Sequence, residues 1–308
     1  MSKRLHFSRR EFLTATAAAV TVPTVLGKVA WAKRELRPLP EGEIQKITEA
    51  APDSATAKPA KSRKLLVFWL CEGFFHGSIG HGNAALEIMG KKTGAYDTVI
   101  SDDKAVFTPD VLKQFDAVML NNTTRLKLDE KQRDALMSFV TGGKGICGIH
   151  AATDNFSDWP EGAEMMGGLF AGHPWGGGGT WAVKLDEPKH PLNKSFGGKG
   201  FLVKDEIYKI KDPYSRERLR VLLSLDMSKK RNRKGREDND NAIAWIHEQG
   251  KGRVFFCSLG HNNHIFQTPA ILQHYLDGIQ YALGDLKADA TPSAKLSPKP
   301  EPALCPEE

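Results

Sequence analysis

The chain has 308 residues, 40% of them apolar, and a formal charge of +6 at neutral pH, enough for one large α/β domain or two small ones. Without its basic first 32 residues the charge falls to +2, and the case for a nucleic-acid partner goes with it. Four cysteines, three of them inside apolar runs, imply no disulfide framework.

The first 32 residues read as an export signal. Ser8-Arg9-Arg10-Glu11-Phe12-Leu13 is a twin-arginine signature, a small apolar run follows at 14–27, and Ala30-Trp31-Ala32 is a cleavage pattern. Cleavage after Ala32 and delivery to the periplasm are expected. The apolar run is too short and alanine-rich to span a bilayer of about 30 Å comfortably, so the membrane is met only through an uncleaved signal. Residues 33–62, rich in Pro, Ala, Lys and Glu, read as a disordered leader, and 287–308, with five prolines, as a disordered tail. One folded domain remains, at 63–286.

Its first strand, at 64–71, is apolar throughout, as in strands buried on both faces. A helix follows at 78–92, then strands at 96–101 and 116–121, with a short helix between them that begins at Pro109. A second full helix at 129–141 closes on Gly142-Gly143 and leads into a central strand that stops at His150. Alternating strands and helices predict a mostly parallel sheet. The second half is less regular: a helix at 161–170, strands at 180–185, 203–209 and 221–225, a hairpin of 242–247 with 252–259, and a closing helix at 269–283. These strands predict antiparallel additions to the sheet.

Three apolar runs end alike: Cys71 then His76, Cys147 then His150, Cys257 then His261. In open α/β sheets ligands bind at the carboxyl ends of the strands, so parallel neighbours would bring these histidines to one crevice. The loops add His173, His190 and the pair Asp205-Glu206. Neutral imidazoles with a carboxylate are the ligand set of one divalent metal ion such as zinc, and His76, His150 and His261 are its candidate ligands. The cysteines lie earlier in their strands and read as core. Gly176 to Gly179 lacks the lysine and following helix of a phosphate loop, so it reads as a flap and no nucleotide cofactor is expected.

Gly73-Phe74-Phe75-His76, Gly148-Ile149-His150-Ala151-Ala152-Thr153-Asp154, Gly172-His173-Pro174, His190-Pro191, Asp205-Glu206-Ile207-Tyr208, Ala244-Trp245 and Leu259-Gly260-His261 together resemble the ThuA-like (trehalose-utilisation) family. The resemblance implies a flavodoxin-like sheet with helices on both faces, related to class I glutamine amidotransferases. In those enzymes the strand-to-helix elbow carries a nucleophilic cysteine; here His150 takes its place, and an imidazole does not form the thioester. What the resemblance implies instead is sugar metabolism, including keto-sugars. The expected function is an exported enzyme acting on a small carbohydrate, plausibly a 3-keto-glycoside, by elimination, hydrolysis or isomerisation. Glu206 or Asp205 is then the base, with His150 on the electrophile side. His173, Trp175, Trp181, Tyr208 and Asp154 bind the sugar. The alternative is a non-catalytic sugar-binding or scaffold module on the same fold. The oligomeric state is left open.

Overall fold

The computed structural model describes residues 36–306. The twin-arginine segment and its cleavage pattern lie outside them. In the first half α1 (Glu41–Ala50) precedes β1 (Lys64–Phe68), α2 (Ile79–Thr93), β2 (Asp97–Ser101), α3 (Pro109–Leu112), β3 (Ala117–Asn121), α4 (Glu130–Thr141) and β4 (Gly145–Ile149). The second half holds α5 (Pro160–Met166), β5 (Leu169–Phe170), β6 (Thr180–Leu185), β7 (Phe201–Lys204), β8 (Ile210–Lys211), β9 (Arg220–Leu225), β10 (Ala242–Gln249), β11 (Gly252–Cys257) and α6 (Pro269–Leu283).

Nine strands form one sheet in the order β2-β1-β3-β4-β11-β10-β9-β6-β7. The first five are parallel in the flavodoxin-like order, and the other four join by antiparallel pairing. The alternation of a strand sorts the core into two layers. Leu65 and Val67 of β1 face the layer shared with α1, α2 and α6, while Leu66 and Phe68 face the layer of α3, α4 and α5. Local chemistry sets the helix ends. Asp129 and Gln132 form a reciprocal capping box at the start of α4, and Gly94 ends α2 with φ +66°, a conformation open to glycine at little cost.

The folded unit is wider than the sequence predicts. Within the expected leader, α1 buries Ile47 and Ala50 against α2, and Lys92 Nζ donates to the carbonyls of Thr48 (2.9 Å) and Ala51 (2.7 Å) at its carboxyl end. The following segment is strapped along α6. Gln280 Oε1 accepts from the Thr56 (2.8 Å) and Ala57 (3.1 Å) amides, Asp277 accepts from the Thr56 hydroxyl, and Asp285 pairs with Arg63 at 2.6 Å. The expected tail is also engaged where it is described. Ala303 and Leu185 exchange both backbone hydrogen bonds, and the Cys305 amide donates to Asp226 at 3.0 Å. Composition failed here because a narrow apolar stripe and scattered proline-flanked contacts carry no periodic signal; long-range partners hold these segments. Two inner boundaries also shift. The helix predicted at 161–170 ends at Gly167, with φ +93°, and the strand predicted at 203–209 ends at Lys204, which puts Asp205-Glu206 on a loop. No disulfide joins the described cysteines; Cys147, Cys257 and Cys305 are buried thiols.

Asp277, buried within α6, yields a test of this strapping. Burial pushes its carboxyl up to about 6, opposed by hydrogen bonds from Thr56 and Gln273. The folded chain thus holds this proton more tightly than the unfolded chain, whose carboxyl titrates near 3.9. Its contribution to stability is full below that value and is lost as pH rises through about 6. Asp277→Asn keeps an acceptor oxygen for both partners and should remove up to about 3 kcal/mol of pH dependence. Urea unfolding of both proteins at pH 4.5 and 7.5 checks this, and equal pH slopes would contradict it.

Candidate functional site

The carboxyl ends of β4 and β11, together with the loop after β1, carry the three histidines to one place. β4 ends where Gly148, Ala151 and Ala152 leave room for a sharp turn: a Cβ on Gly148 would lie 2.7 Å from Met166 Cε and 2.8 Å from Ala152 Cβ. His150 stands at that turn with φ +48°, the left-handed region that a residue with a Cβ enters only when its surroundings hold it there. Just past the end of β11, Gly260 has φ +134°, and a Cβ there would sit 2.7 Å from Ile149. After β1, Thr124 accepts from the Gly73 amide and donates to the Phe74 carbonyl, which fixes the loop carrying His76. The Ser78 hydroxyl joins that loop to the Gly260 carbonyl at 2.7 Å.

The imidazoles of His76, His150 and His261 lie with ring centres 4.8–5.3 Å apart, far inside the span that one shared ligand requires. With Glu206 they offer ligand atoms all within 4.8 Å of one another. His150 is 0% exposed, and its Nδ1 lies 2.7 Å from the Ser258 carbonyl. A carbonyl can only accept, so Nδ1 carries the proton and Nε2 keeps a lone pair. That nitrogen and His261 Nδ1 face the Glu206 carboxylate, while His76 Nδ1 is buried without a hydrogen-bond partner among the described residues. Burial holds the His76 imidazole down at about 3, helped by His150 and His261, so it is neutral at physiological pH. Buried polar atoms are ordinarily paired; imidazole nitrogens gathered this closely around a carboxylate are a donor set that suits a divalent cation.

Glu206 is the hub. Its side chain is 12% exposed; Oε1 lies 3.2 Å from His261 Nδ1 and 3.6 Å from His150 Nε2, and Oε2 lies 3.4 Å from His173 Nδ1. Burial raises its pKa, but His150 and His261 together pull it below the usual carboxylate range, so it is ionised. Glu206 in turn raises the pKa of His261. Tyr208 packs its ring 4.3 Å from that of His150 and places its hydroxyl 3.4 Å from His76 Nε2. His173, 58% exposed, stands at the opening, and Asp154, at the end of the turn after His150, faces Arg125 at 3.9 Å.

Other predicted site residues are placed elsewhere. Asp205 is fully buried and accepts the amides of Gly260 (2.7 Å), His261 (3.3 Å) and Asn262 (2.7 Å), so its oxygens hold the His261 loop and are not open to a substrate. Trp175 is 0% exposed and donates to the Asn232 carbonyl, and a core indole has no face for a sugar. Trp181 donates to the Gly176 and Asp205 carbonyls and has Lys234 4.5 Å over its ring, so its face is taken too. His190 caps the turn at 191–196 and contacts the Asp289 carbonyl. Gly176 to Gly179 closes as a tight turn, with the Gly177 carbonyl accepting from Asn262. Cys147 lies in the core, as its position before the elbow predicts. The aromatic group that sequence reasoning left without a role is Phe74, 66% exposed and edge-on to His76 at 4.8 Å. Its signal was an aromatic pair in a glycine-bounded loop, where the core has no use for one.

An open α/β sheet of flavodoxin-like order, with imidazoles and a carboxylate gathered at the carboxyl ends of its parallel strands, defines the class of this protein. The chain belongs to the ThuA family, described as trehalose utilisation, whose profile matches residues 64–282. That membership gives it a role in sugar utilisation. Its fold is similar to that of a ThuA-like protein from Bacteroides uniformis, with 22% identity and a TM-score of 0.60, covering 74% of this chain and 94% of the other. A ThuA-like protein from Parabacteroides merdae is similar at 19% identity and a TM-score of 0.56, covering 75% and 93%. No curated protein matches the chain.

The two adjacent carboxylates should separate experimentally. Asp205→Asn turns an acceptor toward three amide donors into a group that also donates, and should cost about 2–3 kcal/mol of stability. Glu206→Gln, facing ring nitrogens at a partly open site, should stay within about 1 kcal/mol of the parent. Denaturant unfolding of both variants measures the difference.

Proposed function

We propose that the protein is an exported enzyme of carbohydrate breakdown that acts on an oxidised sugar, a keto-sugar or 3-keto-glycoside, with Glu206 as the base. The observation that carries this reading is the ionised Glu206 carboxylate, ringed by His150, His173 and His261 at the carboxyl edge of the parallel strands. A C–H bond beside a ketone is acidic enough for a carboxylate to remove its proton when the developing oxyanion is stabilised. Glu206 would take that proton, leaving an enediolate. Elimination and isomerisation share this first step, and hydrolysis shares it when the leaving group is eliminated and water then adds to the enone.

His76, His150 and His261 would hold a divalent metal ion such as zinc, with Glu206 within reach. Such an ion supplies polarisation of the ketone oxygen and stabilisation of the negative charge that forms there. His150 is oriented for the task by Ser258, and His76 by the Tyr208 hydroxyl. His173, at the opening, is placed to exchange a proton with Glu206 Oε2. Phe74, exposed beside His76, supplies the aromatic surface against which a sugar ring packs, whereas Tyr208 is buried and backs His150.

Metal analysis of the purified chain and its variants tests the assignment. His76→Ala, His150→Ala and His261→Ala should each lower bound metal at least tenfold, with losses that do not simply add. Glu206→Gln should retain most of the metal yet lower turnover of 3-keto-glucosides by about 100-fold or more. Turnover unchanged in Glu206→Gln would remove it as the base.

Export rests on the segment Ser8 to Leu13 and on Ala30-Trp31-Ala32. Replacing Arg9 and Arg10 with lysine should leave the chain in the cytoplasm with its leader uncut. Cell fractionation with immunoblotting reads this directly, and unchanged export would sink the idea.

A further inference from the structure

His261 also lines a groove of about 470 Å³, together with Glu43, Lys46, Gly77, Asn263, His264 and Gln267 among others. One wall is α1, the helix from the expected leader, which precedes the segment shared with the family at 64–282. The opposite wall is the turn Asn263–Gln267 that follows His261. Glu43 clamps the two walls: its carboxylate pairs with Lys46 at 2.9 Å and accepts from the Gln267 side-chain amide, while His81 of α2 lies 3.3 Å away. His261 thus lines the groove while its Nδ1 faces Glu206.

We infer that this groove is a second subsite, taking a neutral polyhydroxylated unit linked to the sugar bound at Glu206. The inference rests on the reading of the Glu206 site as a sugar site. Three observations carry it. The volume falls in the range of about 300–1,000 Å³ that small-molecule sites occupy. The lining offers both donors and acceptors: the side chains of Asn263 and His264 make no hydrogen bond among the described residues, and both can donate and accept, as paired sugar hydroxyls require. Charge argues against a phosphorylated or carboxylated unit, because the Lys46 ammonium is already matched by Glu43. The groove therefore recognises the part of the substrate beyond the linking oxygen, with Glu43 and Lys46 added to its lining from outside the shared family segment.

Binding of glucose and of a disaccharide panel (trehalose, maltose, cellobiose, sucrose) to the full chain, measured by calorimetry, tests this. A second occupied subsite predicts at least one disaccharide bound tenfold or more tighter than glucose. Gly77→Phe fills the groove from a position where a Cβ meets nothing within 4 Å. It should erase that advantage while changing glucose affinity less than twofold, and Lys46→Ala should lower only the disaccharide affinity, by about three- to tenfold. If glucose binds and no disaccharide gains, or if the variants weaken both sugars equally, the subsite is overturned and the Glu206 reading stands. If no sugar binds the parent chain, the subsite falls, and the Glu206 reading is decided by turnover of 3-keto-glucosides.

Discussion

The arrangement at the sheet edge depends on one hydrogen bond, from His150 Nδ1 to the Ser258 carbonyl. It ties the end of β4 to the end of β11, and it decides which nitrogen of a fully buried imidazole is left open. An imidazole there without that partner would bury a donor and an acceptor at a cost of about 1–3 kcal/mol each. With it, the cost is confined to the nitrogen facing Glu206, His76 and His261. The left-handed backbone of His150 is a second local expense, met by the packing of Gly148, Ala151 and Ala152 beneath the turn. Sites that bind and react commonly hold such unfavourable local states, supported by what surrounds them.

The convergence of His76, His150 and His261 was legible in the sequence because it follows from periodicity. Parallel strands buried on both faces are continuous apolar runs, and the residue at which such a run stops lies on a common edge. The elbow was legible for the same reason, since Gly148-Ile149-His150-Ala151-Ala152 must turn within a few residues. What the sequence did not disclose was side-chain direction in the loops. Asp205 and Glu206 are neighbours of the same chemistry, yet one is spent on three backbone amides and the other faces the imidazoles. Nothing in a pair of acidic residues tells which will turn inward. The tryptophans misled by a related route: a large ring beside a glycine-rich loop suits a sugar platform or a core anchor equally, and Trp175 is the anchor.

Electrostatics then separates the two carboxylates more firmly than position does. Each is penalised by burial, but Glu206 has imidazoles on either side that favour its charged form, whereas burial prevails at Asp205 and leaves its pKa raised. A base has to be ionised and reachable together, and Glu206 alone of the pair is both.

The strapping of residues 56–63 along α6 bears on what counts as the unit of this protein. Gln280 and Asp277 on α6, and Asp285 just past its end, are polar groups whose partners are Thr56, Ala57, Ala60 and Arg63. Those partners all precede the stretch that relatives hold in common. A fragment cut at the family boundary would leave an amide and carboxylates stranded on the closing helix and would strip the cover from α2. Inheritance and packing thus draw different borders around this chain: the shared family segment begins at residue 64, but the contacts that cover α2 and α6 reach back into 41–63.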